Sequence, residues 1–377
     1  MIQYRRHYFA DRAWYLQSVP DMSADVLKSV IETLVEIEQR HFAVQVARDL
    51  AIGPNGGLYV AEAGHGGVNC SPDGSTCIGR TSAITRINVE AGTKQRVVRG
   101  LVSVAGSDGT FATGVDGISF LGGSVYGIET ASRQVVPPSG FPAPLLRAAR
   151  NQLGHLIWAN PETGRWRTVG DVGGRDWIWS SHHTNLVPGQ FPDANPYGVL
   201  ALPGVRWVVD AGANTLDRVA PNGHVRVVRF FPNPPASDAV PTCIEQGPDH
   251  ALYIGELTGG GNAPGASVVW RFAPWSGKLS KWATGLTAVT GCGFGRNGQF
   301  YATEFSTLGL DNAAPGTGAV VRVPAHSSHP VMVVGGLNFP GGFAAGRNGA
   351  LYVSNWSIAP AHNGGGPTGS VIRITQN

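Results

Sequence analysis

Six polar residues stand at equivalent places along this 377-residue chain, each at the end of a short apolar run such as Leu-Tyr-Val-Ala-Glu. They are Glu62, Glu129, Asp210, Glu256, Glu304 and Asn355. Carboxylates gathered around one opening could hold a hard cation, because Ca²⁺ prefers oxygen ligands. Glu62, Asp210, Glu256 and Glu304 are therefore candidate metal ligands, with calcium as the candidate cofactor. The alternative is structural, since a carboxylate at a strand end commonly accepts backbone N–H bonds from the next turn.

An aromatic residue precedes each polar residue by three positions. These aromatics are Tyr59, Tyr126, Trp207, Tyr253, Tyr301 and Tyr352. Around them each copy contains an apolar strand, a turn rich in Gly, Pro, Asn and Asp, and a second strand. Most copies continue into a third strand with an apolar-x-Arg-apolar pattern, and several into a fourth. Four short antiparallel strands per repeat are typical of a propeller blade. The sequence therefore predicts an all-β, six-bladed β-propeller of the NHL or gluconolactonase-like type.

The composition of the chain limits the classes of partner that we expect. The chain has 53 Gly and 26 Pro, only 14% charged residues, and a net charge of +3. That charge is too small to indicate a nucleic-acid partner. No window approaches the roughly 18–20 continuous apolar residues that a membrane-spanning helix needs. The first twenty residues lack the apolar core of a signal peptide. We expect a monomer that binds a small molecule or a protein partner.

The four cysteines form two pairs with different expectations. Cys70 and Cys77 lie in one Gly/Ser/Pro-rich loop, whose length could close a small disulfide ring in an oxidising compartment; the alternative is two loop thiols. Cys292 aligns with Ile244 in the repeat, so Cys243 falls one position earlier and should point to the opposite face of its strand. We therefore expect Cys243 and Cys292 to be buried and unpaired.

The region before the repeats is predicted to be different. Residues 21–40 have apolar side chains at helical spacing and a plausible N-cap at Ser23, which predicts a helix within an N-terminal extension of residues 1–40. This helix would cover one end of the propeller or contact another subunit. The propeller would span residues 41–377, with a strand at 41–46 completing the last blade and removing its open edge.

The least repetitive stretch of the propeller, residues 130–193, is predicted to be an insertion. It contains a possible short helix around Leu145 and a Trp/His cluster. Loops on a rigid scaffold often carry binding residues, although this segment could also be a filler. Our candidate ligand-binding residues in and near it are Trp177, His182, His183, Asn195 and Asn214.

With these motifs laid out, the chain resembles the ScyD/ScyE family of bacterial β-propeller proteins between about residues 47 and 374. The motifs that carry the resemblance are residues 58–67 with the following cysteine loop, 193–198, 210–214, 240–242 and 255–259. The resemblance implies a propeller, often exported, without a settled biochemical activity. It and the Cys70/Cys77 loop suggest an extracellular or periplasmic location, which the absence of a visible signal peptide leaves unresolved.

Three functions are compatible with these observations, and whether the protein is an enzyme stays open. The first is a binding or accessory protein that holds its ligand or partner at the channel mouth. The second is a calcium-dependent, lactonase-like hydrolase. Such enzymes resemble this fold and carry ligands two residues before a conserved apolar position, where this chain has Arg48, Asp116, Tyr197, Thr242, Thr290 and Gly341. Only Asp116 is a strong metal ligand. The third is a quinone-dependent sugar dehydrogenase-like enzyme.

Overall fold

The chain forms six antiparallel β-sheets arranged as the blades of a propeller, which confirms the predicted fold class. A computed structural model describes residues 46–107, 111–232, 238–358 and 369–375. The predicted helix at 21–40 and the predicted strand at 41–46, except its last residue, lie outside these ranges. Both therefore stay predictions, as does the boundary between the extension and the propeller.

The first three blades contain the longest strands and the largest connections. Blade one comprises β1 (Ala47–Ile52), β2 (Leu58–Glu62), β3 (Asn69–Cys70), β4 (Cys77–Asn88) and β5 (Thr93–Ala105). Blade two comprises β6 (Val115–Leu121), β7 (Ser124–Glu129), β8 (His155–Ala159) and β9 (Trp166–Asp171). Blade three comprises β10 (Pro196–Leu202), β11 (Val205–Asp210), β12 (Thr215–Val219) and β13 (Val225–Phe230). The predicted insertion at 130–193 thus contains the two outer strands of blade two.

The last three blades are more compact. Blade four comprises β14 (Pro241–Gln246), β15 (Leu252–Glu256), β16 (Ser267–Ala273) and β17 (Lys278–Leu286). Blade five comprises β18 (Val289–Phe294), β19 (Phe300–Glu304), β20 (Gly318–Val323) and β21 (Val331–Leu337). Blade six, within the described ranges, comprises β22 (Phe343–Ala345), β23 (Leu351–Asn355) and β24 (Ser370–Ile374). The first strand of each blade is innermost, and β22 lies against β1, so the ring is closed.

The repeated aromatic residue explains why adjacent blades adhere. Tyr59 packs on Phe120 of the next blade, with ring centroids 4.7 Å apart. Tyr253 packs on Phe294 in the same way at 5.0 Å, and Tyr301 stacks on Phe343 at 5.7 Å. An aromatic ring that is buried between two sheets removes a large apolar area from water. The aromatic column of the sequence is therefore an inter-blade core.

The expectation that Cys243 and Cys292 are unpaired is wrong, because a disulfide joins them across blades four and five with a Cα–Cα distance of 5.7 Å. The two side chains do point to opposite faces of their strands. Neighbouring blades meet through opposite faces, however, so this alternation brings the sulfurs together. Ile244, one residue further on, packs against blade three instead.

The disulfide predicted between Cys70 and Cys77 is confirmed. It joins β3 to the start of β4, where the two cysteines are paired across the ladder. The bond closes a small ring in a loop that extends from the end of β2. Both disulfides lie in the propeller, one within a blade and one between two blades.

The two faces of the propeller differ because the strands run up and down in each blade. The turns between first and second strands lie at one face, which we call the turn face. The connections from second to third strands, and from each blade to the next, lie at the other, which we call the loop face. Two α-helices lie in loop-face connections: α1 (Ala143–Gln152), where the sequence indicated a short helix, and α2 (Val172–Ser181). No helix of the described ranges is long and apolar enough to cross a membrane.

Candidate functional site

The four candidate metal ligands lie on four different blades, and each is bonded to residues of its own blade or of the connection next to it. Glu62 accepts hydrogen bonds from Thr85 and pairs with Arg96 at 2.8 Å. Glu256 accepts one from the indole of Trp270, and Glu304 accepts one from the backbone N–H of Thr287 at 2.9 Å. The structure does not bring these carboxylates together.

Asp210, the fourth candidate, stabilises the connection on its own blade. Its Oδ1 accepts backbone N–H groups from Asn195, Gly212 and Ala213 at 2.7, 2.9 and 2.8 Å. A strand-end carboxylate that accepts three such bonds has a structural role, because it holds the connection in place. In the part of the chain that the structure describes, no group of three or more His, Cys, Asp or Glu residues has an arrangement that could hold a metal ion.

Two of the predicted ligand-binding residues use their side chains to position backbone. Asn195 Oδ1 accepts the N–H of Ala131 at 2.9 Å. Asn214 has a left-handed backbone conformation, with φ of 56°, and its Oδ1 accepts the N–H of Val240 at 2.7 Å. Asn tolerates this conformation better than most residues. Both asparagines lie on the loop face beside Asp210, and both fix the paths of loops.

The other three predicted ligand-binding residues lie on or just after α2. Asp171 begins this helix by accepting the N–H of Gly174 at 2.9 Å. Trp177 is partly buried, whereas His182 is exposed at the helix C-terminus. The ring of His183 stacks on Trp179 with centroids 4.2 Å apart, and its Nδ1 lies 2.7 Å from the Trp179 carbonyl oxygen. Trp179 also packs on Phe191 and Phe230, so His183 belongs to a small aromatic cluster on the loop face.

A central channel is lined by the innermost strands of all six blades and holds about 410 Å³. Five of these strands carry a β-bulge near their first residues. A bulge leaves one or more residues outside the ladder and redirects their side chains. These bulges, which form a ring around the loop-face end of the channel, contain Arg48 and Asp49 in β1, Asp116 and Gly117 in β6, Tyr197, Thr242 and Thr290.

An ion pair closes this end of the channel. Arg48 Nε lies 2.9 Å from Asp116 Oδ1, and the two side chains are only 7% and 3% exposed. Burial raises the pKa of Asp116 to about 6, although the Arg48 charge opposes the shift. Burial also raises the pKa of Tyr197, which hydrogen-bonds to Arg48 and stays neutral. Arg48 thus neutralises Asp116, the strong metal ligand of the lactonase-like pattern.

Beyond the ion pair, two carboxyl groups face the channel, Asp49 of β1 and Glu245 of β14. Asp49 Oδ2 accepts the N–H of Ile118 at 3.0 Å, and Glu245 Oε1 accepts the N–H of Gln246 at 2.9 Å. Burial raises the pKa of each to about 7, and the charge of Glu245 adds to the effect on Asp49. Both side chains are partly accessible, so solvent-sized molecules reach them through the channel.

A second group of carboxyls lies outside the channel, beneath α2. Asp176 of this helix contacts Asp210 of β11 and Asp217 of β12, and all three are fully buried. Burial raises the pKa of each, and the neighbouring carboxylates add to the shifts of Asp176 and Asp217. Carboxyl groups can bond to one another only when a proton lies between them. Burial and the two neighbouring carboxylates favour the protonated form of Asp176, whose hydroxyl can donate to blade three.

No family model matches the chain, and no curated protein matches it. Several solved propeller structures are similar to it. A protein described as a proposed oxidoreductase (glucose dehydrogenase) from Thermus thermophilus has 14% identity and a TM-score of 0.50, covering 89% of this chain and 100% of its own. A Bacteroides thetaiotaomicron protein of unknown function has 10% identity and a TM-score of 0.50, covering 88% and 69%.

A catalytically inactive variant of virginiamycin B lyase from Staphylococcus aureus, in complex with quinupristin, is also similar. It has 14% identity and a TM-score of 0.42, covering 83% of this chain and 80% of its own. At such low identities, the two structures with a TM-score of 0.50 show the propeller fold and nothing about activity.

Neither channel carboxylate is among the residues that the sequence predicted. The innermost strands align on their apolar residue, and the expected ligand position lies two residues before it. Asp49 precedes that apolar residue, Leu50, directly, and Glu245 follows Ile244 directly. The signal in the sequence was a charged residue directly beside the conserved apolar position in two of the innermost strands. Their importance comes from the ring, which brings strands of blades one and four to one cavity.

Proposed function

We propose that this protein binds a small polar molecule inside its central channel. The observation that carries the proposal is the pair of carboxyl groups, Asp49 and Glu245, that face one cavity of about 410 Å³. Ligand sites are typically concave and contain a few polar groups that fix the orientation of the ligand. The exposed lining of this channel is more polar than apolar, which suits a polar ligand. Buried acids with raised pKa values are also commoner at functional sites than elsewhere.

The channel itself is a better candidate than the loops at its mouth. Asn195 and Asn214 use their amide groups to hold loops in place. Arg48 and Asp116 neutralise each other at the loop-face end. Asp49 and Glu245, in contrast, have no salt-bridge partner among the described residues. We retain the ScyD/ScyE resemblance as part of this proposal, because it too implies a propeller without an assigned activity.

The proposal is tested by titration calorimetry with three probes of different charge: D-glucose, D-gluconate and 1,4-diaminobutane. The test variant is Ala345→Trp, since Ala345 is partly exposed and lines the channel, so an indole there would fill it. The control is Val331→Trp, on the outer strand of blade five and 43% exposed. We expect at least one probe to bind the wild-type protein and the control, and not Ala345→Trp. Absence of binding by all three, or binding that survives Ala345→Trp, would contradict a channel site.

A further inference from the structure

We propose that the channel ligand is an organic cation, a protonated amine held between Asp49 and Glu245. This inference deepens the proposed function and depends on it. Three ionisable side chains with charge line the cavity directly: Arg48, Asp49 and Glu245. Arg48 is neutralised by Asp116. The remaining two charges are both negative, so a cationic ligand is the one that complements them.

The geometry leaves acceptor capacity on both carboxylates. Asp49 accepts the backbone N–H groups of Ile118 and Leu50, and Glu245 accepts that of Gln246. A carboxylate offers about four acceptor positions, so positions for a ligand remain. An ammonium group is a donor of matching charge, with three N–H bonds and no acceptor.

Burial raises the pKa of both acids, so each binds a proton more readily than a solvated acid does. A bound amine would displace these protons. Two acids in one poorly solvated cavity repel each other when both are ionised, which is one reason why the pKa of Asp49 is raised to about 7. The other titratable and charged groups near them are Arg48, Asp116 and Tyr197. A bound ammonium favours the ionised acids, so binding at neutral pH should release protons.

An organic amine fits better than a bare metal ion. The described residues hold no group of three or more His, Cys, Asp or Glu that could bind a metal. The cavity of about 410 Å³ is large enough for an organic molecule, and its lining includes Leu50, Ile118, Val199 and Ile244 beside the two acids. An ammonium group would bind the acids while a short hydrocarbon body contacts these smaller apolar surfaces.

The test compares 1,4-diaminobutane with butane-1,4-diol, which has the same length and no charge, by calorimetry on the whole chain. At pH 8 we expect the diamine to bind and the diol to bind at least tenfold more weakly. In two buffers of different ionisation enthalpy, the heats at pH 7 should reveal proton release. Affinity should fall as the pH is lowered from 8 to 6, by about tenfold per unit for each proton released.

The variants Asp49→Asn and Glu245→Gln should each weaken diamine binding about tenfold or more, because a hydrogen bond to a charged group is lost. The amide oxygen can still accept the backbone N–H, and thermal unfolding would report whether each variant folds. Glu304→Gln is the matched control, since burial raises the pKa of Glu304 to about 7 as well, yet it does not line the channel.

The possible failures are distinguishable. Equal diamine affinity in wild type, Asp49→Asn and Glu245→Gln would overturn the inference, as would equal binding of diamine and diol. Binding of glucose or gluconate that Ala345→Trp abolishes, without diamine binding, would overturn the cation and leave the channel site standing. If none of the probes binds, both proposals fail.

Discussion

Asp176 carries a buried carboxyl group whose ionisation opposes folding. Burial and the charges of Asp217 and Asp210 raise its pKa well above the ordinary value of 3.8. A raised pKa in the folded state means that its contribution to stability is complete below about pH 4 and is lost as the pH rises through the folded pKa. We therefore predict that Asp176→Asn stabilises the protein at pH 8, on the order of 1–2 kcal/mol, and has a smaller effect at pH 5. Urea unfolding at both pH values measures the difference.

Asp73→Asn is the control for this prediction. Asp73 lies in the exposed cysteine loop, where hydrogen bonds from Ser71 and Ser75 lower its pKa to about 2. It stays ionised across the whole range from pH 5 to 8, so its replacement should not change the pH dependence. If Asp176→Asn destabilised the protein equally at both pH values, proton sharing under α2 would be refuted.

For individual residues, the sequence predicted which positions are equivalent between blades better than it predicted what each side chain does. The polar column was correctly aligned, because each of its residues ends the second strand of a blade. Of the four candidate metal ligands, Asp210 is bonded as the structural alternative expects, by backbone N–H groups of the turn that follows it. Glu62 and Glu256 accept bonds from side chains. The contact of Asp176 with Asp217 was not predictable, because the two residues belong to a helix and a strand that only the folded chain brings together.

Among the elements, the two disulfides should differ in what they contribute. Cys243 and Cys292 are separated by 49 positions and join two blades, whereas Cys70 and Cys77 are separated by 7. A cross-link that closes a longer loop restricts the unfolded chain more, by about 4 kcal/mol against about 2.5 kcal/mol in the chain-entropy model. We predict that the double variant Cys243→Ala/Cys292→Ala loses more stability than Cys70→Ala/Cys77→Ala. Denaturant unfolding without reductant measures both.

Under reducing conditions this difference between the two double variants should shrink, since the wild-type protein then lacks both bonds. A larger loss from the Cys70/Cys77 pair would show that the loop, and not the blade interface, is the site where the cross-link stabilises the fold.

Helix α1 and helix α2 illustrate what local sequence can predict. The apolar spacing around Leu145 indicated the first. The second begins with Val172, Gly173 and Gly174, and glycine is a poor helix former. Its N-cap, Asp171, was the available signal. Packing of α2 on blade three and the buried Asp176 stabilise a helix that its own composition does not favour.

Closure of the whole ring depends on glycines at the innermost strands. A Cβ on Gly342 would stand 2.4 Å from the Cα of Asp49, and one on Gly117 would stand 2.5 Å from the Tyr197 carbonyl oxygen. Backbone at such distances cannot move aside without separating the blades. We predict that Gly342→Ala destabilises the protein by about 1–3 kcal/mol. Gly123→Ala is the control, because a Cβ there has nothing within 4 Å. Thermal and urea unfolding of both variants test this.

Equal stability of Gly342→Ala and Gly123→Ala would mean that blades six and one are not in tight contact. The sequence predicted the number of blades, because each copy of the repeat corresponds to one blade. It did not predict which residues approach one another at the ring's seam. Ser354, for example, donates a hydrogen bond to the carbonyl oxygen of Arg48 across almost the whole length of the chain.

The β-bulge recurs in five of the innermost strands, so the channel contains positions that lie outside the ladders. The residues at these positions are Arg48 and Asp49 in β1, Asp116 and Gly117 in β6, Tyr197, Thr242 and Thr290. Asp49, one of the two proposed ligand contacts, is among them. A substitution at one of these positions changes the lining of the channel without replacing a residue of the ladder, so a propeller of this kind can evolve a new specificity by single substitutions.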